Sequence, residues 1–179
     1  PRFATLKPPA EERFSRDVEE SNARLANEIA AIRAQRRFEE FGYPYGFNSR
    51  QEFESFNNAL KTGFASAGYR DVTSVFQGSG ASGLSFMSRL PFDKGRTSDF
   101  DIAIVSPTLF QRAQEIGVPL RGGGTRTAPL RAANLRELGL SETQSALQAQ
   151  AGGRPVRFMI YRDLESAFKR PSFPLDPIE

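Results

Sequence analysis

The sequence predicts an α+β fold, in which a small mixed β-sheet is flanked by helices and preceded by a helical extension. Three observations predict it. Apolar residues recur at helical spacing in several charged segments, three short runs are rich in β-branched and aromatic residues, and Gly, Pro or Ser marks the boundaries between them. The chain has 179 residues, 16 of them Phe, which is enough for one domain with an aromatic core. We expect a helical N-terminal extension over residues 1–47 and a catalytic-sized domain over residues 48–179.

The first half of the chain predicts two helices and a strand. Glu11 to Glu40 has apolar residues at helical spacing among dense charges, which indicates one long amphipathic helix or two joined ones. Ser49 to Glu52 has the form of a capping box, and the helix that follows ends at Gly68. Val72 to Phe76 is a short run of β-type residues.

The second half predicts two strands, four helices and an extended tail. In order, these are a strand at Phe100 to Val105, helices after Ser106, Pro129 and Ser141, a strand at Val156 to Tyr161 and a helix at Asp163 to Lys169. Ser106 before Pro107 is typical of a helix start, since Ser caps and Pro suits the first turn. The prolines of the tail favour an extended conformation.

The composition excludes several kinds of active site. The chain has no Cys and no His, which removes thiol nucleophiles, Ser-His triads, zinc sites with thiolate or imidazole ligands, and disulfides. A metal would need oxygen ligands, which favours Mg²⁺ or Mn²⁺. No apolar run approaches the roughly 20 residues of a membrane span, and the first residues lack a signal-peptide stretch. We expect no membrane insertion, and the initial Pro favours a domain cut from a longer polypeptide.

The segment from Gly117 to Arg136 is basic. It contains no acidic residue and four arginines, which are Arg121, Arg126, Arg131 and Arg136. Guanidinium groups match phosphate oxygens well, so this segment is a candidate patch for phosphate or nucleic acid. A solvated Arg-rich face is the alternative interpretation.

The stretch after the first predicted strand is rich in small residues. The strand runs into Gly78 and Ser79, with Gly80 and Gly83 following. Glycines let the main chain approach a ligand closely, and free N–H groups with a hydroxyl suit a phosphate. Many ordinary turns have the same composition.

Two carboxylates begin the strand at Phe100. Asp99 and Asp101 are two positions apart, so strand alternation points both to one side while Phe100 points to the other. Adjacent carboxylates repel one another, and a divalent cation between them stabilises the arrangement. The alternative is an edge-strand start with two solvated Asp, or turn chemistry at Ser98 and Asp99.

Taken together, these two pieces resemble the nucleotidyltransferase superfamily that includes DNA polymerase β and the minimal nucleotidyltransferases. The resemblance covers residues 72–105. This stretch contains a predicted strand, a Gly-Ser turn, a loop and an Asp-x-Asp pattern on the neighbouring predicted strand. It implies Mg²⁺ or Mn²⁺ at Asp99 and Asp101. The nucleotide-binding candidates that follow from it are Gly78, Ser79, Gly83, Ser98 and Arg126.

The resemblance also points to residues outside the motif. Leu84 to Arg96 would be an inserted substrate loop that carries Lys94 and Arg96. The superfamily tends to place a third carboxylate on a later strand, but Val156 to Tyr161 carries Arg157 and no acid. Asp163, just beyond, is the candidate third catalytic acid. The candidate RNA or substrate contacts are Lys94, Arg96, Arg121 and Arg157.

The implied reaction is attack of an acceptor hydroxyl on the α-phosphate of a nucleoside triphosphate, with pyrophosphate leaving. Such chemistry requires no protein nucleophile. Three alternatives stay open: transfer to a protein side chain, a non-catalytic module that binds nucleic acid or protein on the same fold, and an N-terminal helix that is itself the working part as an assembly or docking element.

Two further segments, Arg126 to Leu130 and Gly153 to Tyr161, look like the C-terminal toxin modules of bacterial polymorphic secretion systems. That resemblance implies a domain secreted as part of a larger protein and acting in the cytoplasm of a competitor cell. It also implies transfer RNA as the acceptor and a dedicated immunity protein as a partner.

Overall fold

A computed structural model describes residues 10–85 and 88–174. Within them lie seven helices and an open, six-stranded mixed sheet, which confirms the predicted α+β fold. The helices are α1 (Ala10–Phe41), α2 (Arg50–Ser66), α3 (Gly78–Ser82), α4 (Pro107–Glu115), α5 (Ala132–Glu137), α6 (Ser141–Gln150) and α7 (Leu164–Phe168). The strands are β1 (Thr73–Gln77), β2 (Phe100–Val105), β3 (Leu120–Arg121), β4 (Arg126–Thr127), β5 (Val156–Tyr161) and β6 (Ser172–Pro174).

The sheet has the strand order β3-β4-β5-β2-β1-β6. β2 and β5 are parallel neighbours at its centre, and the other pairs are antiparallel. α4, α5 and α6 lie between β2 and β5 in the chain, as a parallel connection requires a crossover. The two predicted motif strands, β1 and β2, are therefore adjacent and antiparallel, and neither is an edge strand.

The two faces of the sheet are buried to different extents. The larger core lies on the face covered by α2, α4 and α6, and Phe76, Phe100 and Phe158 from three adjacent strands are fully buried in it. The other face carries a small cluster around Met159 and Tyr161, packed beneath α7. Strand alternation places Asp99 and Asp101 on this second, less covered face.

Side-chain caps fix two of the predicted helix starts. Ser49 Oγ accepts a hydrogen bond from the N–H of Glu52 at 3.1 Å, and Ser106 Oγ accepts from Leu109 N–H at 3.0 Å. The residues Ser141 to Gln144 also have the form of a capping box, which predicts a cap at Ser141, but Leu140 is the N-cap residue of α6 and no side chain caps it. Leu140 is fully buried, so its packing in the core and not a side-chain cap marks this helix start.

Three short elements differ from the expectations. The Gly-rich segment after Arg121 is the turn between β3 and β4, and the Gly-Ser turn begins the single-turn helix α3. The extended tail forms β6, which pairs with β1; residues 175–179 of the predicted tail lie outside the described residues. β6 pairs with a strand distant in the chain, and α3 accepts hydrogen bonds from Arg33 and Tyr45, so local pattern alone does not predict these two elements.

The second half of α1 packs on the domain. Ala26 and Ala34 are buried, and the Arg33 Nε donates to the carbonyl of Ser82 at 2.8 Å, which ties α1 to α3. Phe47, the last residue of the predicted extension, is buried and its ring stacks on Phe100 at 5.0 Å between centroids. No helix within residues 10–85 and 88–174 is both long and apolar enough for a lipid bilayer.

The turn at Gly46 offers a test of this packing. Gly46 has a φ of +95°, and a methyl group added there would lie 2.6 Å from the Phe100 ring. Gly68 has a φ of +94° with no atom within 4 Å of such a methyl group, so Gly68→Ala isolates the backbone strain. We expect Gly68→Ala to cost about 1–2 kcal/mol and Gly46→Ala about 1–3 kcal/mol more. Urea unfolding of both variants measures this, and equal losses would contradict it.

Candidate functional site

Strand register assembles the site on the second face of the sheet. In the antiparallel pair, Gln77 at the end of β1 is the partner of Asp101, and in the parallel pair Asp101 is the partner of Arg157. Cross-strand partners point to the same face, so these three side chains form a row across three strands. Asp99, two positions before Asp101, lies on the same side.

Gly78 brings the Gly-Ser turn against this row. Gly78 has a φ of +65°, and a methyl group added to it would lie 2.7 Å from Oδ2 of Asp101. Only glycine allows both this backbone conformation and this approach. The turn at Gly78 and Ser79 and the carboxylate at Asp101, distant in the chain, are thus in contact. Among the described hydrogen bonds, none involves the Ser79 hydroxyl.

The two carboxylates have different electrostatic environments. Burial raises the pKa of Asp101, and the charge of Asp99 raises it further, while Arg157, Arg170 and Arg96 act in the opposite direction. No hydrogen bond or ion pair to the Asp101 carboxylate is found in residues 10–85 and 88–174. Asp99 is instead paired, with its Oδ2 2.9 Å from Nη2 of Arg157. We call Asp99 and Asp101 the carboxylate pair.

Arg154 positions the loop that leads into the carboxylate pair. Its guanidinium binds both carboxylate oxygens of Asp93, at 2.7 and 2.8 Å, and donates to the carbonyl of Ser98 at 2.6 Å. Asp93 and Ser98 also exchange two backbone-to-side-chain hydrogen bonds, at 2.8 and 3.0 Å. The same guanidinium lies 5.0 Å from the centroid of the Phe100 ring. This network fixes the residue immediately before Asp99.

The network gives Ser98 a role that requires no nucleotide. Ser98 is buried, and its hydroxyl accepts from the backbone of Asp93. Sequence reasoning missed Arg154 and Arg170, since nothing in their neighbourhoods distinguishes them from other arginines and their partners are distant in the chain. Arg170 follows α7 and acts on Asp101 through its charge.

Other predicted residues lie away from the carboxylate pair. Asp163 follows the carboxyl end of β5, whereas the pair lies at the amino end of the parallel strand β2. Its carboxylate caps α7 by accepting from Ser166 N–H at 2.7 Å and pairs with Arg162 at 2.9 Å. Asp163 is therefore not positioned as a third ligand. Arg126 is the strand partner of Tyr161, at that same far end.

Gly83 and Lys94 also make no described contact with the carboxylate pair. Gly83 ends α3 in the left-handed conformation, and a methyl group there would lie 2.6 Å from the Tyr45 ring. Lys94 is exposed in the loop before Asp99, and no described contact links its side chain to the carboxylate pair. Of the predicted substrate contacts, the structure brings Arg96 and Arg157 to the pair.

Two concave regions adjoin the site. A cavity of about 140 Å³ lies between α1 and the start of α3, and Gly78, Ser82, Arg89 and Arg170 are among its lining residues. On the other side of Arg157 lies a second region of about 420 Å³, which we call the arginine groove because Arg121, Arg131 and Arg157 line it. No described ion pair involves Arg121 or Arg131.

The carboxylate pair has the donor set that a hard cation prefers. Asp101 offers a largely buried carboxylate without a protein partner among the described residues, next to a second carboxylate on the same face. Oxygen ligands of this kind suit Mg²⁺ and Mn²⁺. No cluster of three or more acidic residues that would hold a metal ion exists within residues 10–85 and 88–174. A cation here would complete its coordination with substrate or water oxygens.

Comparison of the chain with protein-family models, with curated proteins and with solved structures finds no match in any of the three. The function is therefore argued from the site itself.

The raised pKa of Asp101 predicts a stability that depends on pH. A carboxyl group whose pKa is raised by folding stabilises the folded state only while protonated, and that contribution is lost as the pH rises through the raised pKa. Asp101→Asn should therefore stabilise the metal-free protein at pH 7, by about 1 kcal/mol. The gain should shrink as the pH falls below about 4, where Asp101 becomes protonated in the unfolded as well as the folded state.

Urea unfolding in EDTA across this pH range measures the effect. Asp17→Asn, at an exposed position of α1, is the control that removes one acidic charge away from the site. A variant that is less stable than the wild type at pH 7 would contradict the burial and repulsion at Asp101.

Proposed function

We propose that the chain is a magnesium-dependent nucleotidyltransferase that transfers a nucleotide from a nucleoside triphosphate to a hydroxyl of RNA. The close approach of Gly78 to Asp101 carries the proposal, because it places a Gly-Ser turn directly beside a carboxylate pair. That combination serves phosphoryl transfer, which depends on positioning phosphate and stabilising charge. The resemblance of residues 72–105 to the nucleotidyltransferase superfamily supports the same reaction.

Each residue of the site has a role in this scheme. Asp99 and Asp101 would hold the cation, whose charge would offset the negative charge of the phosphates and of the leaving pyrophosphate. The backbone at Gly78 and Ser79 binds the triphosphate through N–H groups, and the Ser79 hydroxyl adds a donor. Arg170, beside the cavity at Gly78, adds positive charge on the donor side. The absence of Cys and His in the chain is compatible with this chemistry.

The arginine groove supports a polynucleotide acceptor. Its other two arginines, Arg121 and Arg131, line the groove on the side of Arg157 away from the cavity at Gly78, so donor and acceptor would approach the carboxylate pair from opposite sides. Arginine binds phosphate oxygens in a bidentate manner, and a chain of phosphates contacts several of them at once. The groove also has an apolar part, formed by Pro129, Leu130 and Val156, against which ribose can pack.

One observation favours a second candidate, a non-catalytic module that binds nucleic acid. The ion pair between Arg157 and Asp99 neutralises one of the two carboxylates that the reaction needs. A protein that only binds RNA would keep the arginines of the groove and have no use for a free carboxylate pair.

A transfer assay tests the catalytic proposal. The protein is incubated with Mg²⁺, bacterial RNA and each labelled nucleoside triphosphate in turn, and label in RNA and in protein is measured. We expect label in RNA with at least one nucleotide, and a loss of about 100-fold or more in Asp99→Asn and Asp101→Asn, because each removes charge stabilisation from the reacting centre. Gly78→Ala should lose activity as well, since its methyl group would overlap Asp101.

Asp163→Ser is the matched control for the acidic variants. It removes a carboxylate but keeps an oxygen that can cap α7, and we expect activity close to that of the wild type. Label in protein instead of RNA would identify a side-chain acceptor. No transfer from any nucleotide by a folded wild-type protein would favour the binding module.

RNA binding tests the arginine groove separately from catalysis. Binding of a fluorescent single-stranded RNA is measured in EDTA at several salt concentrations. Each lost phosphate contact should reduce the magnitude of the negative slope of log K against log salt by about 0.7, so Arg121→Gln combined with Arg131→Gln should reduce it by about 1.4. Arg13→Gln combined with Arg16→Gln, on the exposed first half of α1, removes equal charge elsewhere. Equal slopes for the two double variants would exclude the groove as the RNA site.

A further inference from the structure

Arg157 is paired with one of the two carboxylates that would hold a cation. Its Nη2 lies 2.9 Å from Oδ2 of Asp99, and Arg157 is the cross-strand partner of Asp101 in the pairing of β2 with β5. A guanidinium and a divalent cation cannot both occupy that side of Asp99, because they repel one another and compete for the same carboxylate.

The surrounding charge also opposes a free cation. Besides Arg157, Arg170 and Arg96 act on Asp101 through their charges. The two carboxylates are thus balanced by three guanidinium groups, and no further acidic residue within residues 10–85 and 88–174 completes a metal-binding cluster. Positive charge of this amount weakens the attraction of the pair for a cation that arrives alone.

Arg157 has an alternative position close by. Its side chain is 54 % exposed, so solvent leaves room for other rotamers, whereas Asp99 is 20 % exposed and immediately precedes β2. The same side chain lines the arginine groove with Arg121 and Arg131. A phosphate in the groove would offer the guanidinium anionic oxygens in place of Asp99.

We infer that Arg157 is the resident counter-ion of Asp99, and that a divalent cation and a phosphate-bearing substrate displace it together. The cation takes Asp99 while Arg157 moves to the phosphate, so the two ligands bind cooperatively. This inference rests on the proposed function, because it requires that the carboxylate pair holds the cation. The phosphate can belong to the nucleoside triphosphate or to the RNA, and the experiment separates the two.

The first measurement is binding of Mn²⁺ alone, followed by electron paramagnetic resonance. We expect Arg157→Gln to bind Mn²⁺ at least about tenfold more tightly than the wild type, since a positive charge a few ångströms from the ion is removed. Arg157→Lys, which keeps the charge, should stay close to the wild type. The matched control is Arg162→Gln, because Arg162 is also paired with an Asp at 2.9 Å, but at the far end of β5.

The second measurement is the effect of Mn²⁺ on ligand affinity, with a non-hydrolysable triphosphate in one arm and a short single-stranded RNA in the other. Coupling is reciprocal, so the factor by which Mn²⁺ tightens each ligand equals the factor by which the ligand tightens Mn²⁺. In the wild type this factor should be large for the ligand whose phosphate receives Arg157, and Arg157→Gln should reduce it in that arm.

Each outcome decides between distinct conclusions. Unchanged Mn²⁺ affinity in Arg157→Gln, with thermal melting showing a folded protein, would overturn the inference and leave the proposed function intact. Equal coupling in wild type and variant in both arms would overturn it as well. Absence of Mn²⁺ binding in every variant, even with the triphosphate, would overturn the proposed function and the inference with it.

Discussion

The pairing of β1 with β2 places Gln77 beside Asp101, and the rest of the site depends on this register. Because Gln77 ends β1, the chain turns at Gly78 immediately next to the carboxylate, and α3 begins there. Gln77 is itself held by Tyr161, whose hydroxyl donates to its side-chain oxygen at 2.9 Å, and by its own donation to the Ala167 carbonyl at 2.9 Å. A slip of one residue would turn Asp101 into the aromatic core.

The aromatic core enforces that register from the opposite face. Phe100 lies between the two carboxylates in sequence and points away from them into contacts with Phe47, Phe56 and Phe76. Burying an aromatic side chain contributes a few kcal/mol, which is far more than the repulsion between two partly solvated carboxylates costs. The core therefore holds Asp99 and Asp101 on one side even though their charges disfavour it. Burial and charge together raise the pKa of Asp101, and the site is maintained at the expense of local stability.

The sequence was sufficient wherever the determining contacts are local. The strand from Phe100 to Val105, the caps at Ser49 and Ser106, and the common side of Asp99 and Asp101 follow from periodicity and neighbouring residues alone. It was insufficient where a partner is distant in the chain. Arg154 binds Asp93 across 61 positions. Asp163 lies away from the carboxylate pair, because it follows the carboxyl end of β5 whereas the pair lies at the amino end of the parallel strand β2.

The arginines change what a carboxylate pair selects. A pair surrounded by further acids would attract any divalent cation, whereas the charges of Arg157, Arg96 and Arg170 oppose that of Asp101. If the pair holds a cation as proposed, it would favour one that arrives with phosphate. In the proposed function, the same guanidinium groups that would weaken the site for a free ion would strengthen it for a metal-bound triphosphate or a polynucleotide. In the proposed reaction, no third carboxylate within residues 10–85 and 88–174 is placed to take the proton of the acceptor hydroxyl. One carboxylate of the pair or a bound water must then accept that proton. Because the cation and the phosphate-bearing substrate would bind together, the site would seldom hold one without the other.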